Sequence, residues 1–372
     1  MAKLSPRVAR LVQAHLSSIE PYDPHFSPVR VNLSANENTH AWPDALRARV
    51  DAALAGAATN RYPDPMSDAL RDGISAWHGI PRDRICVGNG GDELLYNFLL
   101  AFGGCGRTLL NCPPTFSEYA FFASLTETRV LDAPRDPETF APDIDEVVRL
   151  AAECDLVIIT SPNNPTGGLV DAESVRAVCA ACPGLVMVDE AYVEFADDAF
   201  GAKASALPLL AGLDNLAVLR TLSKAFGLAG ARCGYVAAAP DVIEAFSAVR
   251  QIYSVNVLTQ AAAACVVRGR DEIAAAVADI RAERERMRRA LSGLAEDGLP
   301  VRVWPSEANF LLVRVPDAHA VHAALRDEFS ILVRDFSSVA GLADCLRITI
   351  GTAEENDQAI AALSALLKRR EP

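Results

Sequence analysis

No apolar run in this chain approaches the roughly 20 residues that a bilayer-spanning helix needs, and no internal repeat or low-complexity tract interrupts it. The first sixteen residues carry basic side chains but no apolar stretch followed by a small-residue cleavage site, so a secretion signal is not read there and a cytoplasmic protein is expected. Positive charge is also in short supply. Thirty-five lysines and arginines stand against 48 aspartates and glutamates, a formal net charge of −13, which argues against nonspecific nucleic-acid binding and against attraction to anionic membranes while leaving room for an arginine-lined pocket. The nine cysteines, an odd number scattered through strand-like and helix-like contexts, form no disulfide framework and read as buried thiols in a reducing compartment. Cys179 and Cys182 have the spacing of a redox pair but close a helical pattern, with no second pair nearby. His319 and His322 can share a helix face, yet no third ligand accompanies them, and no metal site is expected. The glycine-rich runs lack both Rossmann spacing and a following Walker-type lysine, which removes two nucleotide-binding readings.

What is present is an ordinary globular balance, 51% hydrophobic and 22% charged, in 372 residues. That exceeds what one compact core usually holds, so two domains are expected. Residues 41–265 alternate strand-like and helix-like segments, the pattern of a mainly parallel sheet sandwiched by helices, and read as a large domain. Residues 1–40 read as an N-terminal arm plus part of a small domain, with rough helical amphipathicity over 8–16. Residues 266–372 read as a smaller α+β domain: a long helix over 271–294 whose charge cluster at 281–286 is expected to be a solvated face, strands near 301–304, 309–313 and 346–350, and helices over 318–327 and 354–368.

The chemistry is most visible in Leu219-Arg220-Thr221-Leu222-Ser223-Lys224-Ala225-Phe226-Gly227-Leu228-Ala229-Gly230-Ala231-Arg232. Small and apolar neighbours favour a neutral amine at Lys224, as covalent capture of an aldehyde requires. The hydroxyls of Thr221 and Ser223 and the planar fork of Arg232 suit phosphate oxygens. Upstream, the apolar run 185–188 delivers Asp189-Glu190-Ala191-Tyr192 to a strand end, and 155–160 runs into Ser161-Pro162-Asn163-Asn164-Pro165-Thr166-Gly167-Gly168, too rich in Pro and Gly to continue a regular element. Active-site groups of open parallel sheets collect at such carboxyl ends. Gly90-Gly91-Asp92-Glu93 follows another strand-like run and opens an apolar-periodic helix, so backbone donors and the helix dipole favour an anion there.

Together with Ala35-Asn36-Glu37-Asn38, Arg61-Tyr62-Pro63-Asp64-Pro65, Cys112-Pro113-Pro114-Thr115-Phe116 and Cys345-Leu346-Arg347-Ile348-Thr349, these pieces resemble, in order and over almost the whole chain, a fold-type I pyridoxal-phosphate aminotransferase of the class I/II group, nearest its histidinol-phosphate aminotransferase branch. The resemblance implies pyridoxal 5'-phosphate bound covalently to Lys224, its pyridine nitrogen paired with Asp189, and its phenolate oxygen bonded by Tyr192 and Asn164. It implies Phe116 stacked on the ring, and the phosphate held at Gly91, Asp92 and Glu93 with Thr221, Ser223 and Arg232. Tyr62 matches a residue that reaches the neighbouring subunit's cofactor, which implies a homodimer. Arg347 matches the substrate-carboxylate arginine, Arg334 and Tyr22 match contacts to a substrate phosphate, and Asn36 falls among the substrate-binding positions. The implied reaction moves an amino group between glutamate/2-oxoglutarate and imidazole-acetol phosphate/histidinol phosphate, a step of histidine biosynthesis. An aromatic amino-acid aminotransferase and a threonine-phosphate decarboxylase are the alternatives, and the segment Gln251-Ile252-Tyr253-Ser254-Val255-Asn256 departs from the family's proline-tyrosine-asparagine form on the substrate side.

Overall fold

The computed structural model describes residues 4–16 and 28–369. In chain order its strands are β1 (Val31–Asn32), β2 (Ile85–Gly88), β3 (Thr108–Asn111), β4 (Arg129–Asp132), β5 (Leu156–Thr160), β6 (Leu185–Asp189), β7 (Leu216–Thr221), β8 (Gly234–Ala237), β9 (Arg302–Val303), β10 (Phe310–Arg314), β11 (Ile331–Leu332), β12 (Arg334–Asp335) and β13 (Cys345–Thr349). Seven form one sheet in the order β2-β8-β7-β6-β5-β3-β4. The pairings from β7 to β4 are parallel, and β8 alone runs against both its neighbours.

β5 and β7 are buried at every position, because helices cover both faces of the sheet. Since successive side chains point to opposite faces, one strand feeds two cores. Val157 and Ile159 join Val186, Val188 and Val218 on one side; Leu156 and Ile158 join Met187, Ala217 and Leu219 on the other. The result is the α/β architecture expected, with the carboxyl ends of β5, β6 and β7 side by side.

The smaller domain is built on an antiparallel sheet, β12-β13-β10-β9. A 27-residue helix, Arg270–Glu296, packs on it through Ile273, Val277, Ile280, Arg284, Met287 and Leu291, a three-and-four spacing that places them on one stripe. The expectation of a solvated charge cluster at 281–286 fails at Arg284. Its guanidinium is buried, donating to Phe195 O at 3.2 Å and Ala308 O at 3.0 Å and pairing with Glu307, because the stripe's period carries position 284 inward. The amino-terminal segment differs as well: Pro6–Ala9 is one helical turn and Ala14–Leu16 a single 3₁₀ turn, with none of their residues buried, so 8–16 is not one amphipathic helix. β1 pairs in parallel with β11, which ties residues 31–32 to the smaller domain. No helix among the described residues is long and apolar enough to cross a membrane.

Candidate active site

Asp189 ends β6 with its side chain in the sheet interior, 4% exposed. Its Oδ2 accepts from Tyr119 Oη at 2.7 Å and its Oδ1 from the Ala191 N–H at 3.0 Å. Those donors favour the charged form, but burial dominates and pushes the carboxyl up to about 6. Among the described residues no cation pairs with it. A buried carboxylate held by two hydrogen bonds and lacking a counter-charge suits a ligand that brings one, such as a protonated ring nitrogen.

A second corner is shaped for an anion. The helix Gly91–Phe102 starts after Gly90 with no side chain capping its first N–H groups. Gly90 has φ +87°, and a Cβ there would lie 2.6 Å from Arg232 Nη2, so the guanidinium approaches the loop only because the position is glycine. Arg232 itself takes a left-handed conformation after Ala229–Ala231 and pairs with Asp92 at 2.9 Å. The buried hydroxyls of Thr221 and Ser223 lie 3.0 Å apart at the end of β7. Glu93 turns back onto the Asn89 N–H, which braces the loop rather than offering a contact to an anion.

Between these corners stands Lys224, on the turn after β7. Its Nζ donates to Ala35 O at 2.9 Å and lies 5.8 Å from the centroid of the Tyr192 ring. Tyr192 is buried, its hydroxyl accepting from Asn36 Nδ2 at 2.9 Å and its ring edge-on to Phe310. From β13, Arg347 reaches across the domain boundary to Asn164 Oδ1 at 2.5 Å and Ser34 O at 2.6 Å, flanked by the rings of Phe310 and Phe336. Phe116 is half-buried, its ring edge-on to Tyr119 at 5.6 Å.

Of the residues singled out in sequence, Tyr192, Asn36, Asn164, Arg347 and Lys224 are linked by these contacts, Asp189 is joined instead to Tyr119, and the glycine loop meets Arg232. Arg334 pairs with Arg347 in the β12–β13 ladder. Tyr62 is 81% exposed, stacked on Tyr253 with ring centroids 4.6 Å apart. Tyr22 lies outside the described residues. Tyr119, Thr160, Asn163 and Thr349 were not foreseen. Thr160 Oγ1 donates to Tyr119 Oη at 2.8 Å, and Thr115 bridges on to Asn163 Oδ1 at 2.7 Å. The one local signal for Tyr119 was its place three residues after Phe116, near enough for the two rings to meet. Among the described residues, no group of three or more His, Cys, Asp or Glu side chains is arranged to hold a metal.

The family model described as aminotransferase class I and II matches residues 28–363. Among curated relatives, a histidinol-phosphate aminotransferase of Paenarthrobacter aurescens is 38% identical over 377 residues, covering 98% of each chain. Another, from Carboxydothermus hydrogenoformans, is 37% identical over 96% of this chain and 99% of its own. Among solved structures, histidinol-phosphate aminotransferase from Sinorhizobium meliloti in complex with pyridoxal-5'-phosphate superposes with a TM-score of 0.87 at 24% identity, covering 97% of this chain and 98% of that one. L-threonine-O-3-phosphate decarboxylase from Porphyromonas gingivalis does so with a TM-score of 0.78 at 25% identity, over 91% and 99%.

Proposed function

We propose, because this chain belongs to the class I and II aminotransferase family, that it carries pyridoxal phosphate on Lys224 and moves an amino group between glutamate and imidazole-acetol phosphate, giving 2-oxoglutarate and histidinol phosphate. The residues fit the cofactor. Asp189 would hold the pyridine nitrogen with a buried carboxylate that no cation among the described residues neutralises, and the uncapped start of Gly91–Phe102 with Arg232, Thr221 and Ser223 would hold the phosphate. Phe116 would cover a ring face, and Tyr192 and Asn164 would donate to the phenolate oxygen.

When bound, the cofactor supplies an aldehyde for covalent capture of the amine and a ring that accepts electrons. Lys224 Nζ would be the anchor for that aldehyde, and as a free amine the same nitrogen is the group to take a proton from the substrate's carbon and hold it. Asp189 would keep its negative charge against a protonated ring nitrogen, since that cation offsets the cost of burial. Arg347, braced by Asn164 and Ser34, orients the substrate carboxylate.

The observation that carries the substrate assignment is the direct pairing of Arg334 with Arg347 across β12 and β13. Two adjacent cations on one sheet face serve substrates whose anionic groups differ, a carboxylate in one half-reaction and a phosphate in the other. The curated relatives' names agree with that assignment. A second copy of the chain completes the reading. Tyr62, Met66, Ile252, Tyr253 and Leu258 form an exposed apolar group, the kind of surface that a homodimer covers.

Two measurements test this. Borohydride reduction of protein incubated with pyridoxal phosphate, followed by peptide mapping, is expected to label Lys224; a label elsewhere overturns the site. Amino transfer to 2-oxoglutarate is then compared for histidinol phosphate, histidinol and phenylalanine in wild type and Arg334→Ala. Selective loss of the phosphorylated substrate supports the assignment, equal phenylalanine transfer by both proteins points to an aromatic enzyme, and carbon dioxide release from threonine phosphate points to the decarboxylase.

A further inference from the structure

Tyr192 Oη has one hydrogen to give, and whether it gives it into the site depends on what occupies the other side of the oxygen. The neighbour there is Asn36, 1% exposed and held at φ +55° in the left-handed region. Thr349, at the end of β13 and 1% exposed, meets Asn36 twice: its Oγ1 accepts from the Asn36 N–H at 3.0 Å and donates to Asn36 Oδ1 at 3.1 Å. Asn309 Nδ2 adds a third hold, donating to Asn36 O at 3.0 Å.

These contacts settle the direction of the Asn36 amide. The backbone N–H can only donate, so Thr349 Oγ1 receives that hydrogen and has its own to place; Asn36 Oδ1 is its acceptor. Reversing the amide would take that acceptor away from a buried hydroxyl, at a cost on the order of 1–3 kcal/mol. Asn36 Nδ2 therefore faces Tyr192 and donates to Oη at 2.9 Å. With its oxygen already accepting there, the phenol has no acceptor on that side.

We propose that Thr349 is a positioning residue that sets the polarity of the Tyr192 hydroxyl: by fixing Asn36 as donor to Tyr192, it directs the phenol's hydrogen to the acceptor in the site, the phenolate oxygen of the cofactor. The inference rests on the cofactor assignment above. Phe310, the register partner of Thr349, packs edge-on against the Tyr192 ring at 5.1 Å, so the same pair of strands holds both the ring and its hydrogen bond. The hydroxyl of a threonine is what the position requires. Valine has the same shape but neither accepts nor donates.

The test compares wild type, Thr349→Val, Thr349→Ser and Asn36→Gly, the glycine being chosen because it tolerates the left-handed backbone. Each is loaded with pyridoxal phosphate and its visible absorbance titrated with pH, and each apoprotein's affinity for pyridoxal phosphate is measured. A donor on the ring oxygen weakens the hold of that oxygen's charge on the adjacent proton, so losing the donor raises the pH midpoint. Thr349→Val and Asn36→Gly are expected to raise it by about one pH unit and to weaken pyridoxal phosphate binding roughly fivefold, with Thr349→Ser close to wild type. A folded Thr349→Val or Asn36→Gly protein with the wild-type midpoint overturns the inference, and should the valine variant not fold, the glycine variant decides. A wild-type protein that stays colourless with pyridoxal phosphate overturns the function proposed above and this inference with it.

Discussion

Arg334 and Arg347 are opposite one another on antiparallel strands, two arginines in one rung of the ladder. Arg347 is braced by Asn164 and Ser34, whereas the Arg334 side chain has no ion-pair or hydrogen-bond partner among the described residues. Opposed like charges work against a strand pair by a few tenths of a kcal/mol or more, unless an anion joins them. Arg334→Gln is therefore expected to leave the substrate-free melting temperature unchanged or slightly raised while raising KM for histidinol phosphate by about 10- to 100-fold and that for glutamate much less. A variant that loses stability without losing the phosphorylated substrate refutes this role for Arg334.

Asp189 gives a stability prediction with a definite sign. Its carboxyl is pushed from 3.8 up to about 6 by burial. Its contribution to stability is then fully present below pH 3.8 and is lost as pH rises through about 6, above which the cofactor-free fold bears the cost of a buried charge. Apoprotein Asp189→Asn is expected to be more stable than wild type at pH 8, by an amount on the order of 3 kcal/mol, with the gain vanishing near pH 4. Thermal melts at the two pH values check it. Pyridoxal phosphate binding should weaken in the same variant.

Gly90 is predicted to be intolerant of a single methyl group. Its φ of +87° strains any other residue, and a Cβ would meet Arg232 Nη2 at 2.6 Å, displacing the guanidinium from the loop. Gly90→Ala should weaken apoprotein affinity for pyridoxal phosphate at least tenfold, on the order of the loss of one charge-assisted hydrogen bond, yet barely change that for pyridoxal, which has no phosphate. Equal losses for the two vitamers would place the phosphate elsewhere.

The exposed group around Ile252, 68% exposed, and Tyr62 is expected to be covered by a second copy. Ile252→Glu should raise the dimer dissociation constant by roughly tenfold or more in sedimentation equilibrium. Tyr62 matches a family residue that reaches the neighbouring subunit's cofactor, so pyridoxal phosphate affinity should fall at protein concentrations where the variant dissociates. A wild-type monomer with full affinity removes both the dimer and that role for Tyr62.

Much of this protein is local in origin. Apolar runs without polar alternation, as in β5 and β6, state that both faces of a strand are covered, and the carboxyl end of such a strand is where Asp189 stands. Gly90 and Gly91, the cap and first residue of the helix Gly91–Phe102, likewise declare an uncapped helix start. Periodicity also had the means to turn Arg284 inward, since it lies in step with Ile280, Met287 and Leu291, but charge content outweighed spacing in that reading.

What only the tertiary structure decided is which groups share a hydrogen. Tyr119 and Asp189 are 70 residues apart, and Thr349 and Asn36 are 313 apart. A side chain's direction follows from its own strand or turn, within a few residues. The identity of the donor or acceptor in front of it depends on how chain-distant elements pack together, and contacts of that kind leave no periodic trace. The residue types of the site are therefore written along the chain, while the charge on Asp189 waits for Tyr119 and the sheet interior to enclose it, and the direction of the Tyr192 hydroxyl waits for Thr349 of β13 to meet Asn36.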